Sequence, residues 1–175
     1  MVAGFDPFND RAARTIRNAL SHRLQASLAR GKPFCSGAAD LMQRYPQRPY
    51  VDYIRDRVQR YRAATREALS RGVSPVTQAA VLCYHQLYFE AHEVLEPLWQ
   101  SASGRARQGL QGLILAAGVH VHLEAGHDEA ALRLARKAIF CLRQSGDTIG
   151  DPPHFNLETL VARLERLIAA ADHRQ

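Results

Sequence analysis

The sequence predicts an all-α fold, a compact helical bundle with two repeat-like helical hairpins and an N-terminal pair of long helices. Three observations carry this prediction. Apolar residues recur at helical spacing, as in Ile16, Leu20, Leu24 and Leu28, which line one side of a helix. Asp6-Pro7 and Ser74-Pro75 each set a capping side chain before a proline, whose missing N–H costs nothing in a first helical turn. No segment alternates apolar and polar residues with a period of two, so strands are not expected.

Taken in order, the first helix is expected from Asp6-Pro7 to about Arg30, with Gly31 ending it. Residues 31–49, with three prolines and two glycines, read as a connection around a short helix-compatible piece, Ala38 to Tyr45. A second long helix fits Tyr50 to Arg71, its inner face marked by Tyr50, Ile54, Val58 (or Arg57), Tyr61, Thr65 and Leu69, with Gly72 as its C-terminal cap. From Ser74-Pro75 the helices shorten: Val76 to about Gln86, Tyr88 to Gln100, Arg105 to Ala125, and Asp128 to Gln144. After the loop SGDTIGDPPHF, Asn156 caps a last helix, Leu157 to Ala171, whose Leu157, Leu160, Leu164, Leu167 and Ile168 face inward.

An internal echo pairs these helices. LCYHQLYFEAHEVLE at 82–96 aligns with VHLEAGHDEAALRLA at 121–135 when Glu90-Ala91 is laid over Glu129-Ala130, an offset of 39. Each reads helix, tight turn, Glu-Ala, helix, and an alanine after the turn lets antiparallel helices approach closely, as in tetratricopeptide repeats of period ~34. Two hairpins fall short of the roughly three repeats a solenoid needs, so a closed bundle is expected.

Composition bounds the function. A chain of 175 residues, 46% hydrophobic, holds a core without disulfides. Cys35, Cys83 and Cys141 are odd in number and far apart, which fits neither a secreted disulfide framework nor a paired-cysteine metal or redox site. The opening segment MVAGFDPFND lacks a basic stretch followed by an apolar run, and the most apolar run, Leu110 to Leu123, carries Gln111, His120 and His122. Neither a leader nor a span of ~18 apolar residues is therefore expected, and a reducing cytoplasm is the expected location, with no membrane partner. Residues 1–72 hold 14 Lys and Arg against 6 Asp and Glu, while residues 73–175 hold 9 against 11. This divides the chain into a basic N-terminal helical extension, 1–72, expected to pack on a helical bundle, 73–175. Tyrosines interleave with Arg55, Arg57, Arg60 and Arg62, which makes a nucleic-acid surface a candidate beside the plainer reading of a solvated helix face.

The chemistry concentrates in YFEAHEVLEPLW, residues 88–99. On a helix His92 and Glu96 share a face, and Glu93 adjoins Glu96 one turn away. An imidazole beside two carboxylates can ligate a divalent metal or act as acid and base. The hairpin turn near Ser103 places residues whose numbers sum to about 205 at one level, so Glu96 faces Gly109, Glu93 faces Gly112, and His120 and His122 lie ~10 Å or more along the axis from His92. The groups expected beside the signature are Gln108 and Gln111, with Gly109 and Gly112 permitting close backbone approach.

The run EAHEVLEPLW (90–99), the turn SASGRAR, LQGLILAAG (110–118), and a Gly126 turn followed by an Ala-rich helix resemble the bacterial and archaeal family called domain of unknown function 309. The resemblance covers about 78 to 170 and implies a small all-helical bundle without an established activity. The family's histidine after LQGL has two counterparts here, His120 and His122.

The site residues expected to matter are Glu90, His92, Glu93, Glu96, Trp99, Gln108, Gln111 and Gly112. They are read first as a polar network in the core of a protein- or peptide-interaction module, since buried carboxylates need partners. The alternatives are a metal-binding or acid/base enzyme using His92, Glu93 and Glu96, and nucleic-acid binding through the basic helices. No GxSxG, P-loop, Rossmann or HExxH motif is present, so no cofactor is expected and no metal site or catalytic residue is assigned.

Overall fold

A computed structural model describes residues 4–72, 74–150 and 152–173. The leader reading rests partly on Met1 to Ala3, and the expected domain boundary touches Val73, all outside the described residues. The described residues contain eight α-helices and one 3-10 turn, with no strand. No helix among them is long and apolar enough to cross a membrane. The chain divides into two compact units, Met1–Val73 and Ser74–Gln175.

The first unit holds α1 (Arg11–Ala29), α2 (Ala39–Arg44) and α3 (Arg48–Arg71), with α1 packed on α3. The stripe expected on α1 is its buried face: Ile16, Leu20 and Leu24 are completely enclosed, together with Ala13 and Ser21. At ~1.5–3 kcal/mol for each large aliphatic side chain withdrawn from water, this seam stabilises the pair. The start of α1 differs from expectation. Asp6 does not cap it: its carboxylate accepts from the Phe8 and Asn9 amides in a turn, and the cap is Asp10, which accepts from the Ala12 amide at 2.8 Å. Tyr50 at the head of α3 selects this cap, its hydroxyl donating to Asp10 Oδ2 at 2.6 Å. That bond, more than any other influence, holds the Asp10 carboxyl below its usual range. On α3, Tyr53, Ile54, Arg57, Val58, Tyr61 and Thr65 are buried. Thr65 serves twice, donating to the Tyr61 carbonyl and accepting from the Phe34 amide.

The second unit holds α4 (Pro75–Tyr84), α5 (Tyr88–Ser101), α6 (Gly104–Glu124), α7 (Asp128–Ser145), the 3-10 turn Gly146–Ile149, and α8 (Leu157–Asp172). Ser74 and Asn156 cap α4 and α8 as expected, accepting from the Thr77 and Thr159 amides. The core is small-sided: Ala116, Val119, Ala131, Ala135, Ala138 and Leu142 join α6 to α7, and Leu164 of α8 closes it. Leu157, Leu160, Leu167 and Ile168 pack partly buried against the same cluster.

The turns after α4 and α6 are built alike. Leu87 N donates to the Leu82 carbonyl and Gln86 N to Cys83; His127 N donates to His122 and Gly126 N to Leu123. Both are Schellman closures, with Gln86 (φ 57°) and Gly126 (φ 73°) in the left-handed region. The matching offset is 40 (Gln86 to Gly126) rather than 39, and it lays Ala91 over Ala131, each fully buried one turn into its helix. Glutamine in a left-handed position carries no sequence signal for a turn, which is why aligning the Glu-Ala pairs misses by one residue.

Candidate functional site

Helix α5 carries the signature and is locally unusual. Pro97 stands inside it and has no N–H for the Glu93 carbonyl, so the helical ladder is open at the turn that carries His92, Glu93 and Glu96. One donor atom from each of these three residues lies within 4.8 Å of the other two. His92 Nδ1 approaches Glu93 Oε1 to 3.5 Å, with the side chains 33% and 25% exposed. The group is therefore open to solutes but partly drained of water. His92 Nδ1 itself is enclosed and makes no hydrogen bond among the described residues.

The other expected members go elsewhere. Glu90 is fully buried, on a different side of α5 from His92 and Glu96. Trp99 is half-buried and carries the Arg107 guanidinium 4.3 Å above its ring, a cation–π contact across the α5–α6 turn. Gln108 Oε1 accepts from Ser145 Oγ of α7 at 2.8 Å, and Gln111 is exposed, so the structure does not tie either to the His92 cluster. The glycines turn the same way. A Cβ on Gly109 would stand 2.5 Å from the Ser145 carbonyl oxygen, and one on Gly112 would stand 2.8 Å from Leu142 side-chain carbons. Close approach thus serves α6 against α7, not α6 against α5.

The two histidines after LQGL have ring partners of their own. His120 stacks on Tyr88 (centroids 4.2 Å apart, planes 13°), and His122 lies 5.7 Å from His127. Burial and, secondly, Arg163 hold the His120 imidazole below its ordinary range. Burial pushes the Cys83 thiol up to about 12 and raises Cys141, which leaves neither poised as a nucleophile.

The candidate nucleic-acid arginines are divided. Arg57 is buried with its guanidinium 5.0 Å over the Tyr53 ring, and Arg60 is paired to Asp56 at 2.9 Å, while Arg55 and Arg62 are exposed. Four arginines at this spacing do not form one exposed row, because the helix turns Arg57 inward beside Val58.

Sequence reading passed over a cavity of about 730 Å³ within the second unit. Its trace in the sequence is the absence of bulk, in the pairs Ala79-Ala80 and Ala116-Ala117, which line it.

Comparison with known proteins identifies residues 76–134 as matching the family described as domain of unknown function (DUF309). The matched segment spans α4 to the first half of α7 and contains the signature. It stops short of residue 170, so the closing loop and α8 lie outside it. No curated protein and no solved structure matches the chain.

Proposed function

Proceeding from the domain of unknown function 309 match over residues 76–134, we propose that this protein binds a divalent transition metal through His92, Glu93 and Glu96. The observation that carries the reading is the convergence of three donor atoms to within 4.8 Å on one helical turn. One imidazole nitrogen and two carboxylate oxygens, with no thiolate, suit Mn²⁺, Fe²⁺, Co²⁺ or Zn²⁺. Three protein donors leave positions for water or substrate, as open metal sites do. A metal so held supplies Lewis acidity or lowers the pKa of a bound water. His92 Nδ1 supports the same reading, since it is enclosed, makes no hydrogen bond among the described residues and already lies 3.5 Å from a Glu93 carboxylate oxygen. The donor cluster favours this over a peptide-docking module, since Gln108 and Gln111 do not join the signature in a network.

The experiment is thermal unfolding of the full chain with Mn²⁺ or Zn²⁺ and with a chelator. Binding to the native state alone stabilises by about 2.7 kcal/mol at a hundredfold excess over Kd. The shift is expected in the natural protein and lost in a His92→Ala, Glu96→Gln double variant. An equal shift in both would refute the site.

A further inference from the structure

The 730 Å³ cavity is bounded by α4, α5 at Tyr88 and Leu95, α6, α8 and the segment leading into α8. It is a cleft open to solvent along the exposed Tyr84, Gln86, His154, Asn156 and Arg163, and its volume is many times the ~30 Å³ share of one water. Ala79 and Ala80 of α4 and Ala116 and Ala117 of α6 line it with single methyl groups. Val76, Leu95, Leu113, Phe155 and Leu160 add further apolar wall. The volume falls within the roughly 300–1,000 Å³ range of small-molecule sites.

The charge of the lining is one-sided. Among the described residues no aspartate or glutamate lines the cavity, and Arg163 of α8 does. Arg163 is exposed at this boundary, and its guanidinium makes no hydrogen bond or ion pair among the described residues. His120 lines the same space, its ring fixed by stacking on Tyr88. Arg163 acts on His120 across the space, helping burial to keep the imidazole neutral, so that its ring can donate one N–H without adding a second charge. Arg163 is the one arginine or lysine of the described lining, with His120, His154, Asn156 and Thr159 as further polar groups; a single guanidinium matches a single carboxylate, whereas a phosphate dianion would leave charge uncompensated.

We propose that this cavity binds an apolar molecule carrying one carboxylate, the body lying against the alanine-lined wall and the head group at Arg163 and His120. None of His92, Glu93 and Glu96 lines this cavity, and the proposal does not depend on the metal reading.

The test is calorimetric titration of the full chain with decanoate, decanol and decyltrimethylammonium at neutral pH. Decanoate is expected to bind at least about tenfold more tightly than decanol, and the ammonium compound more weakly than either. Arg163→Met, which keeps the aliphatic stem, is expected to weaken decanoate by about tenfold and leave decanol unchanged. Ala80→Leu, at a partly exposed position, fills the space and is expected to weaken both. Binding of decanoate also raises the basicity of His120, seen as a shift of its ring-proton titration. Failure of all three to bind, equal affinity for decanoate and decanol, an Arg163→Met protein that binds decanoate normally, or an Ala80→Leu protein that binds both normally would each overturn the proposal.

Discussion

Replacing Gly109 by alanine sets two effects against each other. An alanine in a helix interior is favoured over glycine by about 1 kcal/mol. The new methyl, however, would stand 2.5 Å from the Ser145 carbonyl oxygen and 2.7 Å from Thr148 Oγ1. Neither atom yields easily, since the carbonyl is backbone and accepts from that same Thr148 hydroxyl at 2.7 Å. Relief requires α6 and α7 to move apart by most of an ångström, which loosens the alanine-rich seam below. Overpacking of this kind costs ~1–3 kcal/mol, and a backbone neighbour places it at the upper end. The net loss is about 1–2 kcal/mol. Gly118 on the same helix is the control, because its added methyl meets only Leu134 Cδ1 at 3.3 Å, the end of a rotatable side chain. Gly118→Ala should be neutral or stabilising by up to about 1 kcal/mol. Urea unfolding followed by far-ultraviolet circular dichroism measures both. The account fails if Gly109→Ala is as stable as Gly118→Ala.

Three further outcomes are expected. Leu20→Ala, at a completely enclosed position of the α1 seam, should cost ~2–5 kcal/mol in the same unfolding measurement; a cost below about 1 kcal/mol would mean that the seam is not the core of the first unit. Tyr50→Phe removes the hydroxyl that most lowers the Asp10 carboxyl. A depressed carboxylate contributes stability above its unfolded pKa of ~3.9 and loses it as pH falls through the folded value. The advantage of the natural protein over Tyr50→Phe should therefore be full near neutrality and shrink below about pH 4, and an advantage independent of pH would contradict the Asp10–Tyr50 bond. His120 follows the same sign in a higher window: its folded pKa is depressed, so the unfolded chain takes up the proton first. Its contribution is intact above about pH 6.5 and declines as pH falls from there toward the folded value. His120→Gln should flatten stability across that window, as read by unfolding at about pH 7 and pH 5.5, and an unchanged slope would argue that His120 titrates normally.

Helix periodicity made most of the fold legible. The α1 stripe, the caps Ser74 and Asn156, and the inner face of α8 all follow from local spacing and local hydrogen-bond chemistry. Illegible features depend on a distant partner. Asp6-Pro7 reads locally as the cap, whereas the Tyr50 hydroxyl, forty residues from Asp10, goes to Asp10. Gly109 and Gly112 announce a close approach but not its direction, because α6 has neighbours on two sides and the smaller side chains of α7 accept it. Arg57 could be read either as part of the basic row or as the alternative to Val58 on the inner face, and α3 buries both side chains. At the candidate site, the three-donor turn was readable from spacing alone, since His92, Glu93 and Glu96 sit within one turn of helix. The cavity was not readable, for a space is defined by what four alanines leave out.

The proposed metal site at His92, Glu93 and Glu96 would hold one ion. Equilibrium dialysis of the full chain against Mn²⁺ or Zn²⁺, with the bound metal quantified by mass spectrometry, tests it most directly. The account predicts one ion per chain for the natural protein and none for a folded His92→Ala, Glu96→Gln double variant. The same stoichiometry in both proteins, or no bound ion in the natural one, would contradict it.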